Sequence, residues 1–199
     1  IIGNKGELKR VTTFSGEKPV LEWFTHQINA SDVVWDIGAN IGTYSLFASP
    51  FAKEVVAFEP HPANVQRLRQ NANLNESDID IRSIALSDEG GTAHLDVSKD
   101  NAGAGGGSVS AEGSYEISLK KGDEIAPQPD IVKIDVEGHE YSVLKGMTQV
   151  LENVRVILIE LHEDDDLAKV QDILQENSFA TEVRWEIGTR QFVVGEKKS

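Results

Sequence analysis

A glycine turn between a predicted strand and a predicted helix constrains the fold of this chain most. The run Val33-Val34-Trp35 favours a strand, and residues 45–48 can continue as a helix. Between them, residues 36–44 read Asp-Ile-Gly-Ala-Asn-Ile-Gly-Thr-Tyr. Glycine removes the Cβ atom that would keep a ligand away from the backbone, and the N–H groups that open the helix face the same space. A strand, glycine turn and helix of this kind suit a nucleotide-like cofactor.

The spacing of the glycines indicates which cofactor. A dinucleotide site typically has Gly-x-Gly-x-x-Gly, whereas this turn has only Gly38 and Gly42, with Asp36 in front of them. A carboxylate at that place would repel a pyrophosphate and can attract a cationic amino-acid group. The next apolar run, residues 55–58, predicts a strand that ends at Glu59, whose carboxylate can accept hydrogen bonds from both hydroxyls of a ribose. Asp36 and Glu59 together therefore predict S-adenosylmethionine.

Composition excludes several kinds of site and partner. The 199 residues are 39% hydrophobic and 26% charged, which is typical of one soluble globular domain. The chain has no cysteine, so disulfides, thiolate metal sites and cysteine nucleophiles are excluded. A net charge of −14 counts against nucleic acid, because phosphate binding requires clustered Lys and Arg, and it also suggests a surface adapted to salt. No run approaches the roughly 20 apolar residues of a membrane span, so we expect no membrane partner, and the absence of cysteine fits a cytoplasmic location.

Predicted strands and helices alternate along the chain. Strands are expected at residues 33–35, 55–58, 79–84, 131–135 and 155–162, and helices at 19–28, from Pro60, over 143–151 and over 167–174. This alternation predicts an α/β fold with a doubly wound, mostly parallel sheet whose ligands lie at the C-terminal strand ends. Residues 181–185 and 191–194 predict a C-terminal antiparallel hairpin.

The domain organisation follows from the same pattern. We expect residues 1–30 to form a helical or extended cover and residues 31–199 to form a single domain. Within that domain, residues 92–97 and 115–119 are typical of a hairpin pair. The glycine-rich residues 98–114 between them form an inserted loop, which is either a substrate lid or a disordered surface turn.

Acidic and imidazole side chains follow two neighbouring predicted strands, namely Asp135, Glu137, His139, Glu160 and His162. The ends of parallel strands share one edge of a sheet, so we expect these candidate catalytic residues in one crevice. Asp135 and Glu137 precede a helix N-terminus, whose dipole favours an ionised carboxylate suited to holding a cation or a cofactor amine. An imidazole titrates near neutral pH, which favours His139, or else His162, as the general base for a hydroxyl acceptor.

Two further features of this region remain open in the sequence. A divalent metal held by Asp135, Glu137, Glu160 or His162 is a second way to lower the pKa of an acceptor hydroxyl, but the pattern does not predict a metal. Lys133 inside a buried strand requires a partner, and Asp135, two residues on and on the same face, is the nearest candidate.

Five segments that carry these residues occur in the order found in one known family. They are Asp36–Gly42, Phe58–Pro60, Ala85–Asp88, Lys133–Glu140 and Ile159–His162. Together they resemble the FkbM-type S-adenosylmethionine-dependent methyltransferases over about residues 31–163. The resemblance implies a class I methyltransferase fold with seven strands, and O-methylation of a hydroxyl, often on a sugar or another secondary metabolite.

The resemblance also implies contacts with the cofactor. The turn residues Asp36, Gly38, Asn40 and Gly42 would line its methionine side, Glu59 its ribose, and Ala85-Leu86 its adenine. Asn64 either reaches the cofactor or only satisfies the first turn of its helix. The complete set predicted to bind the cofactor is Asp36, Gly38, Ala39, Asn40, Gly42, Thr43, Glu59, Pro60, Asn64, Ala85, Leu86 and Asp135.

Two rival functions stay open at this point. A nicotinamide-dependent oxidoreductase could use a similar sheet, but the missing third glycine and Asp36 count against it. A partner subunit could bind the cofactor without turnover, although the polar residues 133–140 count against that. The sequence leaves open which small molecule or glycan is the acceptor, and it does not determine the oligomeric state.

Overall fold

A seven-stranded sheet with helices on both faces forms the centre of the protein, as seen in a computed structural model. The structure describes residues 5–95, 109–110, 115–162 and 167–198, and the side chains of residues 16–95, 115–162 and 167–198. The strands are β1 (Val33–Ile37), β2 (Glu54–Phe58), β3 (Asp80–Arg82), β4 (Ala85–Leu86), β5 (Gly91–Leu95), β6 (Val109–Ser110), β7 (Tyr115–Lys120), β8 (Ile131–Ile134), β9 (Val156–Leu161), β10 (Phe179–Ile187) and β11 (Arg190–Lys197). The helices are α1 (Lys5–His26), α2 (Thr43–Ala48), α3 (Pro62–Leu74), α4 (Glu140–Lys145), α5 (Thr148–Asn153) and α6 (Leu167–Glu176).

The strand order of the large sheet is β10-β11-β9-β8-β1-β2-β3. Neighbouring strands from β9 to β3 run parallel, and the register places Trp35 of β1 beside Val56 of β2 and Val132 of β8. Strand β11 runs antiparallel to both β9 and β10, between which it lies. The predicted fold, a mostly parallel doubly wound sheet with a C-terminal antiparallel hairpin, is therefore confirmed.

Apolar side chains cover both faces of this sheet. Every residue of β1, β8 and β9 is buried, as expected for parallel strands packed on two sides. One face packs against α4, α5 and α6, and the other against α1 and α2, where Phe24 and Tyr44 contact each other edge to face. Full burial of such a side chain contributes about 1.5–3 kcal/mol, so both layers of helices hold the sheet in place.

Helix α1 is longer than the sequence predicted. We expected a helix over residues 19–28 with Pro19 in its first turn, but the helix begins at Lys5 and Pro19 lies inside it. The part that follows Pro19 is the part that the apolar pattern predicted, since Val20, Leu21 and Phe24 are buried against the sheet. Among the described residues, none of the helices combines the length and the apolar character that crossing a membrane requires.

The predicted helix over residues 143–151 is instead two helices, α4 and α5, and this prediction was wrong in one respect. The break lies at Gly146, which closes α4. A Cβ atom at Gly146 would lie 1.9 Å from the carbonyl oxygen of Ser87, so the backbone of another segment passes directly beside it. The helical spacing of the apolar residues continues across Gly146, so hydrophobic spacing alone did not predict the break.

A second, four-stranded sheet has the order β4-β7-β5-β6. The predicted pair is confirmed over residues 92–95 and 115–119, which belong to the antiparallel strands β5 and β7, and residues 96–97 lie outside the described residues. The predicted strand over residues 79–84 is shorter, because only 80–82 join the large sheet and residues 85–86 pair with β7. Of the glycine-rich segment 98–114, residues 109–110 form β6, and the lid or loop predicted for the rest lies outside the described residues.

Candidate active site

A cavity lies at the C-terminal edge of the parallel strands. This is the edge at which α/β sheets bind their ligands. Its walls come from the segments that follow β1, β2 and β8, and from the second sheet. The lining residues are Ile37, Gly38, Asn40, Phe58, Glu59, Pro60, His61, Asn64, Ile84, Ala85, Leu86, Leu95, Asp135, Val136, Glu137 and His139.

The glycine turn brings its backbone against the neighbouring strand. Gly38 has a positive φ of 76°, and a Cβ atom there would lie 1.8 Å from the carbonyl oxygen of Asp135. The N–H groups of Gly38 and Ala39 both donate to the carbonyl oxygen of Phe58, at 2.9 and 3.0 Å. Asn40 also has a positive φ, of 53°. Only glycine fits at position 38, because any side chain would collide with the end of β8.

Glu59 ties the glycine turn to the start of α3. One carboxylate oxygen, Oε2, accepts a hydrogen bond from the N–H of Asn40 at 2.8 Å. The other, Oε1, accepts from the N–H of His61 at 2.8 Å and from Nδ2 of Asn64 at 3.3 Å. Burial raises the pKa of Glu59 above its ordinary value, although these hydrogen bonds lower it. Because a carboxylate has about four acceptor positions, Glu59 can still accept a hydrogen bond from a ligand in the cavity.

Lys133 lies between two buried carboxylates. Its Nζ is 3.3 Å from Oδ2 of Asp135 and 3.5 Å from Oδ1 of Asp36, and it donates to the carbonyl oxygen of Gly38 at 3.3 Å. The pairing of Lys133 with Asp135 that the sequence predicted is confirmed. Asp36 has two further hydrogen bonds, from the backbone N–H and the hydroxyl of Ser45 to Oδ2 at 2.9 and 2.5 Å. Asp36 therefore lies behind the cavity wall, anchoring α2 and Lys133.

His139 and Glu137 lie where β8 leads into α4. The ring Nε2 of half-buried His139 is 2.9 Å from the hydroxyl of Ser87, which orients the imidazole. Glu137 is exposed and has a positive φ of 52°. The carboxylate of Glu140 closes this turn by accepting hydrogen bonds from the N–H groups of Gly138 and Val136, and burial raises its pKa. Glu140 thus holds the turn in place through hydrogen bonds to its backbone, and the candidate catalytic side chains of Glu137 and His139 line the cavity.

A second group of charged side chains lies next to Asp135. Nε2 of His162 is 3.9 Å from Oδ1 of Asp135 and 3.5 Å from Oε1 of Glu160. Glu160 also accepts a hydrogen bond from Nη1 of Arg190 at 2.6 Å, and the same nitrogen is 2.6 Å from Oε1 of Glu17 on α1. Burial, and then the charge of Asp135, raise the pKa of Glu160 to about 7 in spite of Arg190. This group connects α1, the sheet and the C-terminal hairpin.

The structure brings most of the sequence-predicted site residues to one place. Those that line the cavity are Gly38, Asn40, Glu59, Pro60, Asn64, Ala85, Leu86, Asp135, Glu137 and His139. Those that do not are Asp36, Ala39, Gly42, Thr43, Glu160 and His162; the last two lie beside Asp135, and Thr43 begins α2. The functional assignment of each residue remains a prediction.

Sequence reasoning missed six lining residues, namely Ile37, Phe58, His61, Ile84, Leu95 and Val136. Five of them had a readable signal, because Ile37, Phe58, His61, Ile84 and Val136 lie next to predicted site residues in the chain. The sequence around Leu95 did not indicate a place in this cavity, because the position of Leu95 depends on how the second sheet packs against the first. Ser87 was also missed as the partner of His139, since the two are distant in sequence.

Comparison with known proteins gives the family of this chain. The family described as the methyltransferase FkbM domain matches residues 36–180. Hexuronic acid methyltransferase AglP of Haloferax volcanii is 35% identical over 198 residues, covering 97% of this chain and 82% of the relative.

Solved structures share the fold. Methyltransferase FkbM from Methylobacillus flagellatus has a TM-score of 0.63 at 16% identity, covering 98% of this chain and 56% of that one. The Streptococcus mutans protein SMU.1697c, solved in complex with SAH, has a TM-score of 0.59 at 13% identity, covering 91% and 97%. With the family match across residues 36–180 and a relative at 35% identity along nearly the whole chain, this protein belongs to the FkbM family of methyltransferases.

Proposed function

We propose that this protein transfers the methyl group of S-adenosylmethionine to an oxygen atom of a sugar, and that the sugar is a uronic acid. One observation carries the proposal: a single cavity is lined by Glu59 on one side and by His139 on another. The first is a carboxylate suited to a ribose, and the second an imidazole suited to an acceptor. The acceptor class comes from AglP, which is named for hexuronic acid. The net charge of −14 gives no support to a nucleic acid acceptor.

The cofactor would lie along the cavity from the second sheet to the glycine turn. The adenine would pack against Ala85 and Leu86, which are small and apolar, and the ribose would donate a hydrogen bond to Glu59. The methionine part would then lie at Gly38, where the missing side chain leaves the backbone open. Asp36 would act on the donor through its charge and through Lys133, since its carboxylate is bound behind the wall.

The reaction is a displacement at the methyl carbon. The bond from sulfur to the methyl group breaks, and a bond from carbon to the acceptor oxygen forms, with the two reactants held in line. A hydroxyl must lose its proton as this happens, and His139 would accept that proton. A uronic acid also carries a carboxylate, whose oxygen is already anionic and requires no base. Methylation of a hydroxyl would therefore depend on His139, and methylation of the carboxylate would not.

Two measurements test the proposal. Calorimetric titration with S-adenosylmethionine, SAH and NAD should show binding of the first two and none of NAD. Incubation with methyl-labelled S-adenosylmethionine should then transfer label to para-nitrophenyl glucuronide and not to para-nitrophenyl glucoside, which lacks the carboxylate. Mild alkali identifies the acceptor oxygen, because a methyl ester is hydrolysed and a methyl ether is not.

The variant Glu59→Gln tests the assignment of the ribose contact. Because hydrogen bonds to charged groups contribute about 1.5–3 kcal/mol, SAH affinity should fall by about tenfold or more. Glu54→Gln is a matched control at the opposite end of β2 and should bind SAH normally. Failure of SAH to bind the wild-type protein would overturn the proposed function, and equal binding by Glu59→Gln would overturn the ribose contact.

A further inference from the structure

Two carboxylates and one imidazole converge where β8 and β9 end. Asp135, Glu160 and His162 each offer one ligand atom, and these atoms all lie within 4.8 Å of one another. Metal ions bind such nitrogen and oxygen atoms at about 2.0–2.2 Å, so the ligand atoms around one ion lie roughly 3–4 Å apart. The measured distances from His162 Nε2, 3.5 Å to Glu160 and 3.9 Å to Asp135, are therefore already in the range that a shared ion requires.

The buried charges around this group are not balanced among the described residues. The charged side chains of the region are the carboxylates of Glu17, Asp36, Asp135 and Glu160, the ammonium of Lys133 and the guanidinium of Arg190. Carboxylates thus outnumber fixed cations, and all four carboxylates are buried. Lys133 and Arg190 are each shared by two of these carboxylates, so an additional cation would reduce the excess negative charge of the region.

An independent observation comes from Tyr44 on α2. Its side chain is 2% exposed, and its hydroxyl has no hydrogen-bond partner among the described residues. Burial, followed by the negative charges of Glu17, Glu160, Asp135 and Asp36, raises the pKa of Tyr44. Nζ of Lys133, which pairs with Asp135, lies 5.0 Å from the centre of the Tyr44 ring. The hydroxyl therefore lies in the field of the same carboxylates and is a buried polar group whose hydrogen bond none of the described residues supplies.

We propose that Asp135, Glu160 and His162 bind a divalent metal ion beside the cavity. Two carboxylates and an imidazole are ligands for ions such as Mn²⁺ and Zn²⁺. Of the three ligands Asp135 also lines the cavity, so an ion at this place would lie beside the cavity, and its charge would lower the pKa of an acceptor hydroxyl bound there. This inference extends the proposed function, because it assigns the acceptor side of the same site.

Calorimetric titration of the tag-free, chelator-treated protein with Mn²⁺ tests the inference. The expected result is saturable binding at one site, weakened by at least about tenfold in His162→Ala and in Asp135→Asn. His162 is partly exposed, so its replacement should leave the fold intact, as circular dichroism would check. His94→Ala is the matched control, because His94 is exposed on β5, and it should bind Mn²⁺ as the wild type does.

The outcomes separate this inference from the proposed function. If the wild type shows no saturable Mn²⁺ binding, or if His162→Ala and Asp135→Asn bind as well as the wild type, the metal site is overturned. SAH titration of the same chelator-treated sample reports on the cofactor cavity independently. SAH binding without Mn²⁺ binding overturns the metal site alone, and Mn²⁺ binding without SAH binding overturns the proposed function alone.

Discussion

Single buried charges determine the electrostatics of the site. Lys133 lies between Asp36 and Asp135 with 2% of its side chain exposed, so its ammonium depends on both carboxylates for stabilisation. Removing one partner of a buried pair typically costs about 3–5 kcal/mol, because the other charge is left uncompensated. These residues therefore connect the end of β8 to the glycine turn, next to the candidate catalytic side chains.

The variant His139→Ala tests whether His139 is the general base. If His139 accepts the proton of a hydroxyl, its loss should lower kcat by about 10²–10⁴-fold while SAH binding changes little. Steady-state kinetics with the glucuronide acceptor gives kcat, and calorimetry gives the affinity. His94→Ala serves as control. Full turnover by His139→Ala would remove the base assignment and point to a carboxylate acceptor.

Glu59 gives a pH dependence with a defined sign. Its pKa is raised above the ordinary value of 4.5 by burial, so the folded protein holds this proton more tightly than the unfolded chain. The stability that this provides is present below pH 4.5 and is lost as the pH rises through the raised pKa. SAH binding should change in the opposite direction. A ribose hydroxyl donates its hydrogen bond to the ionised carboxylate, so SAH should bind more tightly as the pH rises through this pKa.

Wild type and Glu59→Gln should therefore differ in two ways. The wild type should lose unfolding free energy relative to the variant as the pH rises from 4.5, as measured by urea denaturation. Over the same interval, SAH affinity should rise in the wild type and stay level in Glu59→Gln. Identical pH profiles for the two proteins would contradict this account of Glu59.

At the scale of elements, the break between α4 and α5 brings the segment of Ser87 close to the end of α4. Gly146 lets the backbone at Ser87 pass within contact distance, and the hydroxyl of Ser87 then reaches His139. One close approach of two backbone segments thus joins the second sheet to the end of β8.

Gly146→Ala should destabilise the protein and disturb this contact. The added Cβ would lie 1.9 Å from Ser87 O, and overpacking of this kind costs about 1–3 kcal/mol. At roughly 2–4 °C per kcal/mol, Tm should fall by several degrees in a thermal scan. Gly90→Ala is the control, since the nearest atom to its new Cβ is 3.8 Å away. Equal Tm values for the two variants would contradict the proposed need for glycine at 146.

At the scale of the whole molecule, net charge is the property that sets the response to solvent. The chain carries −14 at neutral pH, and many of its acidic side chains are exposed. Like charges on one surface repel each other and destabilise the compact state, and dissolved salt screens this repulsion. The protein should therefore behave as one adapted to salt.

Thermal unfolding at increasing KCl tests that expectation. Between about 0.1 M and about 1 M salt the screening length falls from about 10 Å to about 3 Å, so Tm should rise by a few degrees. Sucrose as a cosolvent, which does not screen charge, separates screening from a general cosolvent effect. Equal Tm values at low and molar KCl would remove the hypothesis of a salt-adapted surface.

Local sequence patterns predicted much of the fold of this protein. Apolar runs such as residues 131–134 predicted buried parallel strands, and the alternation of strands and helices predicted the doubly wound sheet. Glycine spacing in the turn and Glu59 at the next strand end predicted a ligand site where the structure has a cavity, because strand order in such folds places those ends side by side. These features depend on short-range periodicity and on rules of chain topology, which a single sequence contains.

Only the tertiary structure decided which of the predicted groups share a contact. The sequence predicts that Asp36 binds S-adenosylmethionine, whereas in the folded protein its carboxylate contacts Lys133 and Ser45. The break at Gly146 and the pairing of Ser87 with His139 depend on segments far apart in the chain, which no local pattern connects. Periodicity fixes which face of an element is buried, whereas the partner of a buried charge is fixed by packing, and packing decided how this site is built.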